Sequence, residues 1–341
     1  MKKPILLLLL PLVLCSCNGA ETKAEFTNWN VDCDAIKTLT SFVEKADRKG
    51  ESTYIPAKDR LAVFDMDGTL FGELFPTYLE YTMFVYRALE DPSYAPTCPE
   101  DVKAVAEEIK IGSPTHTYAS DMAIRHGKAA AKAYAGMTLK EFASYAITFL
   151  GREVPGFSGM TYAEAVYKPM IDVVDYLHKN DYDVYVVSGS DRFLCREIVR
   201  DAFKIPDNHV IGMDVTLVTP ELGDTDPVDY TFTQDDTLIR GDELLIKNLK
   251  FNKVTAIAKE IGKQPVLSFG NSSGDSAMHN YTLTGNPYQS AAFMLVADDG
   301  ERDNGGSKND PLHKKWQDMG YHTVSMKNDF KTIYGDNVKK K

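Results

Sequence analysis

The sequence predicts an α/β fold built around a parallel sheet. Three short runs have the composition of buried strands, namely 61–64, 183–190 and 265–269. Each run ends in a polar turn, and helix-forming segments lie between them. Apolar strands that alternate with helices are typical of a parallel sheet covered on both faces. Because such sheets bind ligands at the carboxyl ends of their strands, the turns after these runs form the candidate site.

The first run, Leu61–Phe64, leads into the sequence Asp-Met-Asp-Gly-Thr-Leu. Side chains at positions i and i+2 of an extended segment point the same way, so Asp65 and Asp67 can share one small site. Two carboxylates that close repel each other, and a divalent cation relieves the repulsion. Gly68 permits the tight turn away from the strand. The alternative is an ordinary Asp-Gly turn with exposed acids.

The second run, Asp183–Ser190, ends in Ser-Gly-Ser and follows a helix-like segment from Pro169 to Asn180. A hydroxyl and free backbone N–H groups at a strand exit can hold a phosphoryl oxygen. Ser188 and Gly189 are therefore candidate binding residues. A simple strand-to-loop Ser-Gly is the alternative.

A lysine opens the helix-like segment 252–258, just before the third run. Lys253 can bring a positive charge close to these turns. Lys247 and Lys250 are neighbouring alternatives. The third run then ends in Gly-Asn-Ser-Ser-Gly-Asp, where Asn271 and Asp275 offer oxygen ligands to a hard cation.

Taken in order, these four segments resemble the signatures of the haloacid dehalogenase-like (HAD) superfamily, in its phosphoserine-phosphatase-like branch. Most members of the superfamily are Mg²⁺-dependent phosphohydrolases. The resemblance runs from about Tyr54 to Tyr334, and Lys253 fits the family pattern Lys-x-x-x-(Ile/Leu). The branch usually has Gly-Asp-Gly-x-x-Asp in its last loop. Here Asn271 replaces the first acid, as in the similar Gly-Asn-Ser-x-Gly-Asp loop of some extracytoplasmic members.

The resemblance implies a Rossmann-like core and a role for each motif residue. Asp65 would attack phosphorus and form an aspartyl-phosphate intermediate. Asp67 would protonate the leaving group and then deprotonate water. Lys253 would neutralise the phosphoryl oxygens. The expected phosphate-binding residues are Thr69, Ser188 and Gly189.

The implied cofactor is Mg²⁺, held by Asp65, the Asp67 backbone carbonyl, Asn271 and Asp275. Asn271 contributes an oxygen ligand but no charge. Two alternatives stay open beside a phosphomonoesterase for small organic phosphate esters. One is phosphotransfer from the same intermediate to an alcohol, and the other is a non-catalytic lipoprotein that binds phosphate esters.

The N-terminus has the pattern of an export signal. Lys2 and Lys3 precede the apolar run Pro4–Leu14, which is too short to span a bilayer but has the length of a signal-peptide core. The following Leu-Cys-Ser-Cys resembles a bacterial lipobox, with Cys17 as the acylated residue. We therefore expect a lipid-anchored protein of the bacterial cell envelope, on the periplasmic side or the outer surface.

Composition restricts the partners. The chain has 341 residues, 43% of them hydrophobic, and a net charge of −11, which argues against electrostatic binding to nucleic acid. The expected partners are a small phosphate ester and, through the lipid, the membrane. Outside the export segment the cysteines are Cys33, Cys98 and Cys195, an odd number that is not a disulfide framework. We expect Cys195 to be buried, whereas a bridge between Cys33 and Cys98 stays open.

Motif spacing predicts several modules. The first two motifs lie more than a hundred residues apart, far beyond a simple crossover. The segment between them is rich in helix formers at 101–110 and 129–150, and it resembles the helical cap of many HAD phosphatases. The predicted divisions are a signal peptide (1–17), an extension with one helix at 33–45 (18–53), a core (54–75 and 163–341) and a helical cap (76–162).

Substrate selection is expected in the segment after Thr69. An aromatic and acidic cluster there could bind an amine or quaternary ammonium group, which suggests phosphocholine, phosphoethanolamine or phosphoserine. Its members are Phe71, Glu73, Tyr78, Tyr81, Phe84 and Tyr86. The alternative is that these aromatic residues form the core of the cap.

Three further residues have two interpretations each. Arg192, just after the second motif, is either an anion ligand or a solvated arginine at a helix N-terminus. Asp298 and Asp299 follow the apolar run Ala291–Ala297 and either line the site or cap a loop.

Overall fold

The computed structural model describes residues 25–73, 77–304 and 310–341. The predicted signal peptide and Cys17 lie outside these residues. The strands are β1 Leu61–Phe64, β2 Phe157–Ser158, β3 Asp183–Asp191, β4 Val210–Val218, β5 Ile239–Ile246, β6 Leu267–Gly270, β7 Ala291–Val296, β8 His322–Ser325 and β9 Lys339–Lys340.

The helices alternate with the strands over much of the chain. They are α1 Asp34–Ala46, α2 Leu79–Leu89, α3 Glu100–Gly112, α4 Met122–Ala133, α5 Leu139–Leu150, α6 Lys168–Lys179, α7 Arg192–Phe203, α8 Phe251–Ala256, α9 Ser276–Leu283, α10 Asp310–Asp318 and α11 Met326–Asp329. A π-helical turn, Ile257–Ile261, continues α8.

Seven strands form one sheet in the order β5-β4-β3-β1-β6-β7-β8. All neighbouring pairs are parallel except β4 and β5, which are antiparallel. The central strand β1 is buried over its whole length and pairs with β3 on one side and β6 on the other. The predicted α/β fold with a mostly parallel sheet is confirmed.

Three phenylalanine rings stack across the centre of the sheet. The ring centroids of Phe64 and Phe269 are 4.3 Å apart, and those of Phe269 and Phe293 are 4.9 Å apart, with nearly parallel planes. Phe64 directly precedes the Asp65 turn, and Phe269 directly precedes Gly270 and the following loop. The stack therefore fixes the relative positions of two predicted motifs.

The first helix packs on the core. α1 spans Asp34–Ala46, against a predicted 33–45, and buries Ile36, Leu39 and Val43. The described cysteines are free thiols, so Cys33 and Cys98 form no bridge. Cys195 is fully buried, as expected. In the described part of the chain, no helix combines the length and apolarity needed to cross a bilayer.

In the described chain four helices, α2 to α5, lie between β1 and β2. The helix-rich stretch 129–150 forms two helices, separated at Gly136, whose φ is +81°. Thr138 then starts α5 with a capping box, in which its side chain and that of Glu141 each bond the other's backbone N–H. α2 packs against α3 and α4, while α5 packs against α7.

The antiparallel edge strand β5 connects these helices to the sheet. Gly136 N–H donates to the Arg240 carbonyl, and Arg240 N–H donates to the Met137 carbonyl. The Arg240 guanidinium is fully buried, donates to Asp191 Oδ2 at 2.6 Å, and lies over the Phe142 ring at 3.9 Å. β5 thus holds the junction of α4 and α5 against the core.

Candidate functional site

The predicted motifs meet at the carboxyl ends of β1, β3 and β6, around a cavity of about 210 Å³. Six of the predicted catalytic, phosphate-binding and metal-binding residues line this cavity: Asp65, Asp67, Gly189, Lys253, Asn271 and Asp275. A larger open groove of about 960 Å³ lies beside α1 and β8, but among the described candidate residues Asp298 alone lines it. The small cavity is therefore the candidate site.

Lys253 joins two carboxylates at the base of the cavity. Its Nζ donates to Asp65 Oδ1 at 2.5 Å and to Asp275 Oδ1 at 2.7 Å, and its side chain is 1% exposed. Of the three lysines considered, Lys253 is thus the one in contact with Asp65. Lys247 pairs elsewhere and Lys250 is exposed.

The two carboxyls in contact with Lys253 differ in acidity. Burial and the neighbouring Asp275 charge raise the pKa of Asp65 to about 8, against the opposing effect of Lys253. Burial also disfavours the charged form of Asp275. However, the Lys253 charge and backbone hydrogen bonds hold the pKa of Asp275 below its usual value. Asp275 therefore carries the negative charge that compensates Lys253.

Asp67 has a separate environment on the same turn. Ser190 Oγ donates to Asp67 Oδ2 at 2.7 Å. Asp67 Oδ1 is buried and has no hydrogen-bond partner within the described residues. Burial raises the pKa of Asp67 to about 7, despite the Ser190 hydrogen bond. Near neutral pH, Asp67 can therefore hold a proton and release it.

The loop after β6 is organised around Asp275. Its Oδ2 accepts hydrogen bonds from the backbone N–H groups of Asn271 and Ser272, at 3.1 and 3.0 Å. Asn271 Nδ2 donates to Glu73 Oε1 at 2.6 Å. Gly68, with φ of +78°, lies so close that an added Cβ would overlap the Asn271 amide. The Asp65 turn and the β6 loop are therefore packed directly together.

The three predicted phosphate-binding residues are placed unequally. The backbone of Gly189 lines the cavity, where an added Cβ would overlap Leu249. Ser188 is fully buried, and its Oγ accepts the Ser190 N–H at 3.0 Å. Thr69 is also fully buried, with no partner for its hydroxyl among the residues described. Neither Ser188 nor Thr69 lines the cavity as described.

The donor chemistry of the cavity suits a hard divalent cation. Five carboxylates line the cavity against two lysines; the acids are Asp65, Asp67, Glu73, Glu80 and Asp275. Oxygen ligands and an excess of negative charge are what Mg²⁺ or Ca²⁺ requires. Over 25–73, 77–304 and 310–341, no three His, Cys, Asp or Glu side chains are grouped as a complete metal site.

The aromatic and acidic cluster divides between cavity and core. Glu73, Tyr78 and Tyr81 line the cavity. Phe71 and Phe84 are fully buried in the hydrophobic core, which was the alternative interpretation for the aromatic residues.

The other three residues with two interpretations have structural roles. Arg192 bonds Asp214 and Glu260, so it is neither an anion ligand in the cavity nor solvated. Asp299 caps the loop that follows it by accepting the Arg302 N–H. Asp298 accepts from Ser325 Oγ, away from the cavity.

Sequence reasoning did not identify Ser190, Glu80 or His126. Glu80 Oε2 accepts from Lys247 Nζ at 2.9 Å, and both residues line the cavity. His126 is fully buried 3.9 Å from Glu80, and burial lowers its pKa well below the usual value. The signal for Ser190 was its place two residues after Ser188, on the same side of the strand exit. Nothing in the sequence relates Glu80 to Lys247.

The sequence matches no protein-family model and no curated protein. Solved structures do resemble it. A conserved functionally unknown protein from Anaerococcus prevotii DSM 20548 has a TM-score of 0.50 and 14% identity, over 89% of this chain and 96% of that one.

Two other similar structures are of named types. Cytosolic 5′-nucleotidase IIIB bound to cytidine has a TM-score of 0.49 and 12% identity, over 87% of this chain and 86% of that one. A phosphoserine phosphohydrolase-like protein from Francisella tularensis SCHU S4 has a TM-score of 0.41 and 12% identity, over 78% of this chain and 94% of that one. Of these likenesses, the one to the Anaerococcus prevotii structure supports the type of fold and nothing further.

Proposed function

We propose that this chain is a Mg²⁺-dependent phosphomonoesterase for small organic phosphate esters, with Asp65 as the nucleophile. The observation that carries the proposal is the contact of Lys253 with both Asp65 and Asp275 at the end of the central strand. The Asp65 carboxyl, the Lys253 ammonium and the Asp275 carboxyl all line one small cavity. In-line phosphoryl transfer needs mainly such positioning and charge neutralisation.

Each side chain has a chemical task in this proposal. The Asp65 carboxylate attacks phosphorus, and the bond from phosphorus to the ester oxygen breaks. Asp67 transfers its proton to the departing oxygen, then takes a proton from the water that attacks the aspartyl-phosphate. The pKa of about 7 suits both transfers. Lys253 neutralises phosphoryl oxygens and holds Asp65 in place.

The Mg²⁺ ligands in this proposal are Asp65, the Asp67 backbone carbonyl, Asn271 and Asp275. The ion would supply positive charge that favours ionised Asp65 and balances the phosphoryl group. Support comes from the excess of carboxylates that line the cavity.

The test is phosphate release from p-nitrophenyl phosphate by the purified protein, with Mg²⁺ and with EDTA. We expect phosphate release in the presence of Mg²⁺ and none in EDTA. The Asp65→Asn variant should release phosphate about 10³-fold or more slowly than wild type. Asp298→Asn is the matched control, because Asp298 also follows a parallel strand but does not line the cavity. It should retain activity. Equal release by wild type and Asp65→Asn would refute the proposal.

The extracytoplasmic, lipid-anchored location is also part of the proposal. It is supported by the Lys2–Lys3 pair, the apolar run and the lipobox-like sequence ending at Cys17. Mass spectrometry of the N-terminus should find an acylated Cys17, and Cys17→Ser should release the protein from membranes. An unprocessed N-terminus would contradict this location.

A further inference from the structure

One wall of the cavity contains a buried ion pair that the proposed chemistry does not use. Lys247 follows the edge strand β5, and Glu80 lies in α2. Their side chains are 4% and 7% exposed, and Lys247 Nζ donates to Glu80 Oε2 at 2.9 Å. Both line the cavity. The positive charge of Lys247 is therefore already matched.

The second lysine of the cavity is matched as well. Lys253 contacts Asp65 and Asp275, which are both part of the proposed reaction centre. The described residues that line the cavity include neither arginine nor histidine. A phosphate-ester substrate adds a phosphoryl dianion to a cavity that five acidic side chains already line. No described cation of the cavity remains uncommitted to receive a second anionic group.

We infer that the site selects phosphate esters with a neutral or cationic alcohol portion and rejects esters that carry a second anion. Glu80 determines this selectivity, because its ion pair with Lys247 leaves that lysine unable to bind a second anion. The inference rests on the proposed function. Burying an unpaired anion is costly, and an unmatched charge is an effective means of rejecting a competing ligand. Glu80 Oε1 is a buried oxygen with no hydrogen-bond partner in the described chain.

The test uses three two-carbon esters that differ in charge: 2-aminoethyl phosphate, 2-hydroxyethyl phosphate and phosphoglycolate. For the wild-type protein we expect kcat/KM to be about tenfold or more lower for phosphoglycolate than for 2-aminoethyl phosphate. At a distance of a few ångströms, the interaction energies of an anion and of a cation with the same wall differ enough to give such a ratio. Equal or better turnover of phosphoglycolate would overturn the inference.

Variants then assign the selectivity to Glu80. Glu80→Gln releases the Lys247 charge and should raise the ratio of phosphoglycolate to 2-aminoethyl phosphate turnover about tenfold. The double variant Glu80→Gln/Lys247→Met should lose that gain. Glu108→Gln is the control, because Glu108 pairs with Arg125 on the helical insertion but does not line the cavity. An unchanged ratio in Glu80→Gln would exclude Glu80 as the selecting residue.

Failure of this inference differs from failure of the proposed function. If no ester is hydrolysed, p-nitrophenyl phosphate included, then the proposed function is wrong. If all esters are hydrolysed without regard to charge, the phosphatase stands and the selectivity does not. Should Glu80→Gln fail to fold, the wild-type comparison still decides whether a second anion is rejected.

Discussion

Asp65 and Asp67 lie two residues apart on one turn, yet they have different partners. Asp65 is held by the Lys253 ammonium, and Asp67 by the neutral hydroxyl of Ser190. A carboxylate beside a fixed cation suits nucleophilic attack. A buried carboxyl beside a hydroxyl suits proton transfer. The two proposed roles therefore follow from environment rather than from sequence position.

Ser190→Ala should impair esters with poor leaving groups selectively. The Ser190 hydroxyl orients Asp67 Oδ2, and Oδ1, which has no partner among the described residues, is the oxygen proposed to deliver the proton. An alkyl alkoxide needs that proton, whereas p-nitrophenolate leaves without it. We expect kcat for 2-hydroxyethyl phosphate to fall about tenfold more than kcat for p-nitrophenyl phosphate. Ser190→Thr keeps the hydroxyl and should restore the ratio, while equal losses on both esters would contradict an orienting role.

The raised pKa of Asp67 should make the metal-free protein less stable as pH rises. The folded value is about 7 and the ordinary value is 3.8, so the folded state holds a proton that the unfolded chain has lost. The stabilisation is full below pH 3.8 and is lost as pH rises through 7. Between pH 5 and 8, wild type should lose about 3 kcal/mol more unfolding free energy than Asp67→Asn.

Urea denaturation in EDTA at several pH values measures this difference. Parallel pH curves for wild type and Asp67→Asn would show that Asp67 keeps an ordinary pKa when folded.

At the scale of an element, the turn after β1 depends on Gly68. Its φ of +78° disfavours other residues, and an added Cβ would overlap Asn271. Gly68→Ala should therefore lower stability by about 1–2 kcal/mol and displace the β6 loop, reducing kcat/KM about 10²-fold. Gly136→Ala is the matched control, with φ of +81° but nothing near its Cβ position. The Gly136→Ala variant should lose a similar amount of stability, measured by thermal unfolding, but keep its activity, measured by phosphate release.

Strands that consist of a continuous apolar run could be predicted from the sequence. Strands that form because of their pairing and packing with distant segments could not. Leu61–Phe64 forms β1 with the predicted bounds. β6 starts at Leu267 rather than Pro265, and proline cannot donate to the strand ladder. β5 has no clear alternation, since its sequence is Ile-Arg-Gly-Asp-Glu-Leu-Leu-Ile. Its pairing with β4 and its contact with α4 define it instead.

At the scale of the molecule, Arg240 connects three parts that are distant in sequence. It bonds Asp191 at the start of α7, stacks on Phe142 of α5 and belongs to β5. Removing one member of a buried ion pair leaves an uncompensated charge. The helical insertion and the sheet should therefore lose stability together if Arg240 is changed.

Arg240→Gln should lower the free energy of unfolding by about 3–5 kcal/mol in a single cooperative transition. Arg200→Gln is the control, because Arg200 also bonds two carboxylates but is 42% exposed, and it should cost about 1 kcal/mol or less. Chemical denaturation followed by circular dichroism measures both. A separate early transition in Arg240→Gln would show that the insertion unfolds independently.

The acidic motif residues could be located from sequence because each follows a recognisable strand, and Lys253 because it opens a helix. Asp65 and Asp275 meet through Lys253, as strand order requires. The pair of Glu80 and Lys247 was not predictable, because it depends on how the insertion docks on the core. Thus the proposed reaction centre could be read from local patterns, whereas the residues around the alcohol portion needed the three-dimensional structure.

The contact of Lys253 with Asp65 joins residues 188 positions apart. A growing chain thus carries the Asp65 carboxyl from early in synthesis but lacks the Lys253 ammonium beside it until much later. β1 must also wait for β6, the partner on its other side. Contacts so distant in sequence form slowly. After dilution from denaturant, the rate at which the proposed phosphatase activity returns should therefore report the rate at which β1 pairs with β6 in the central sheet.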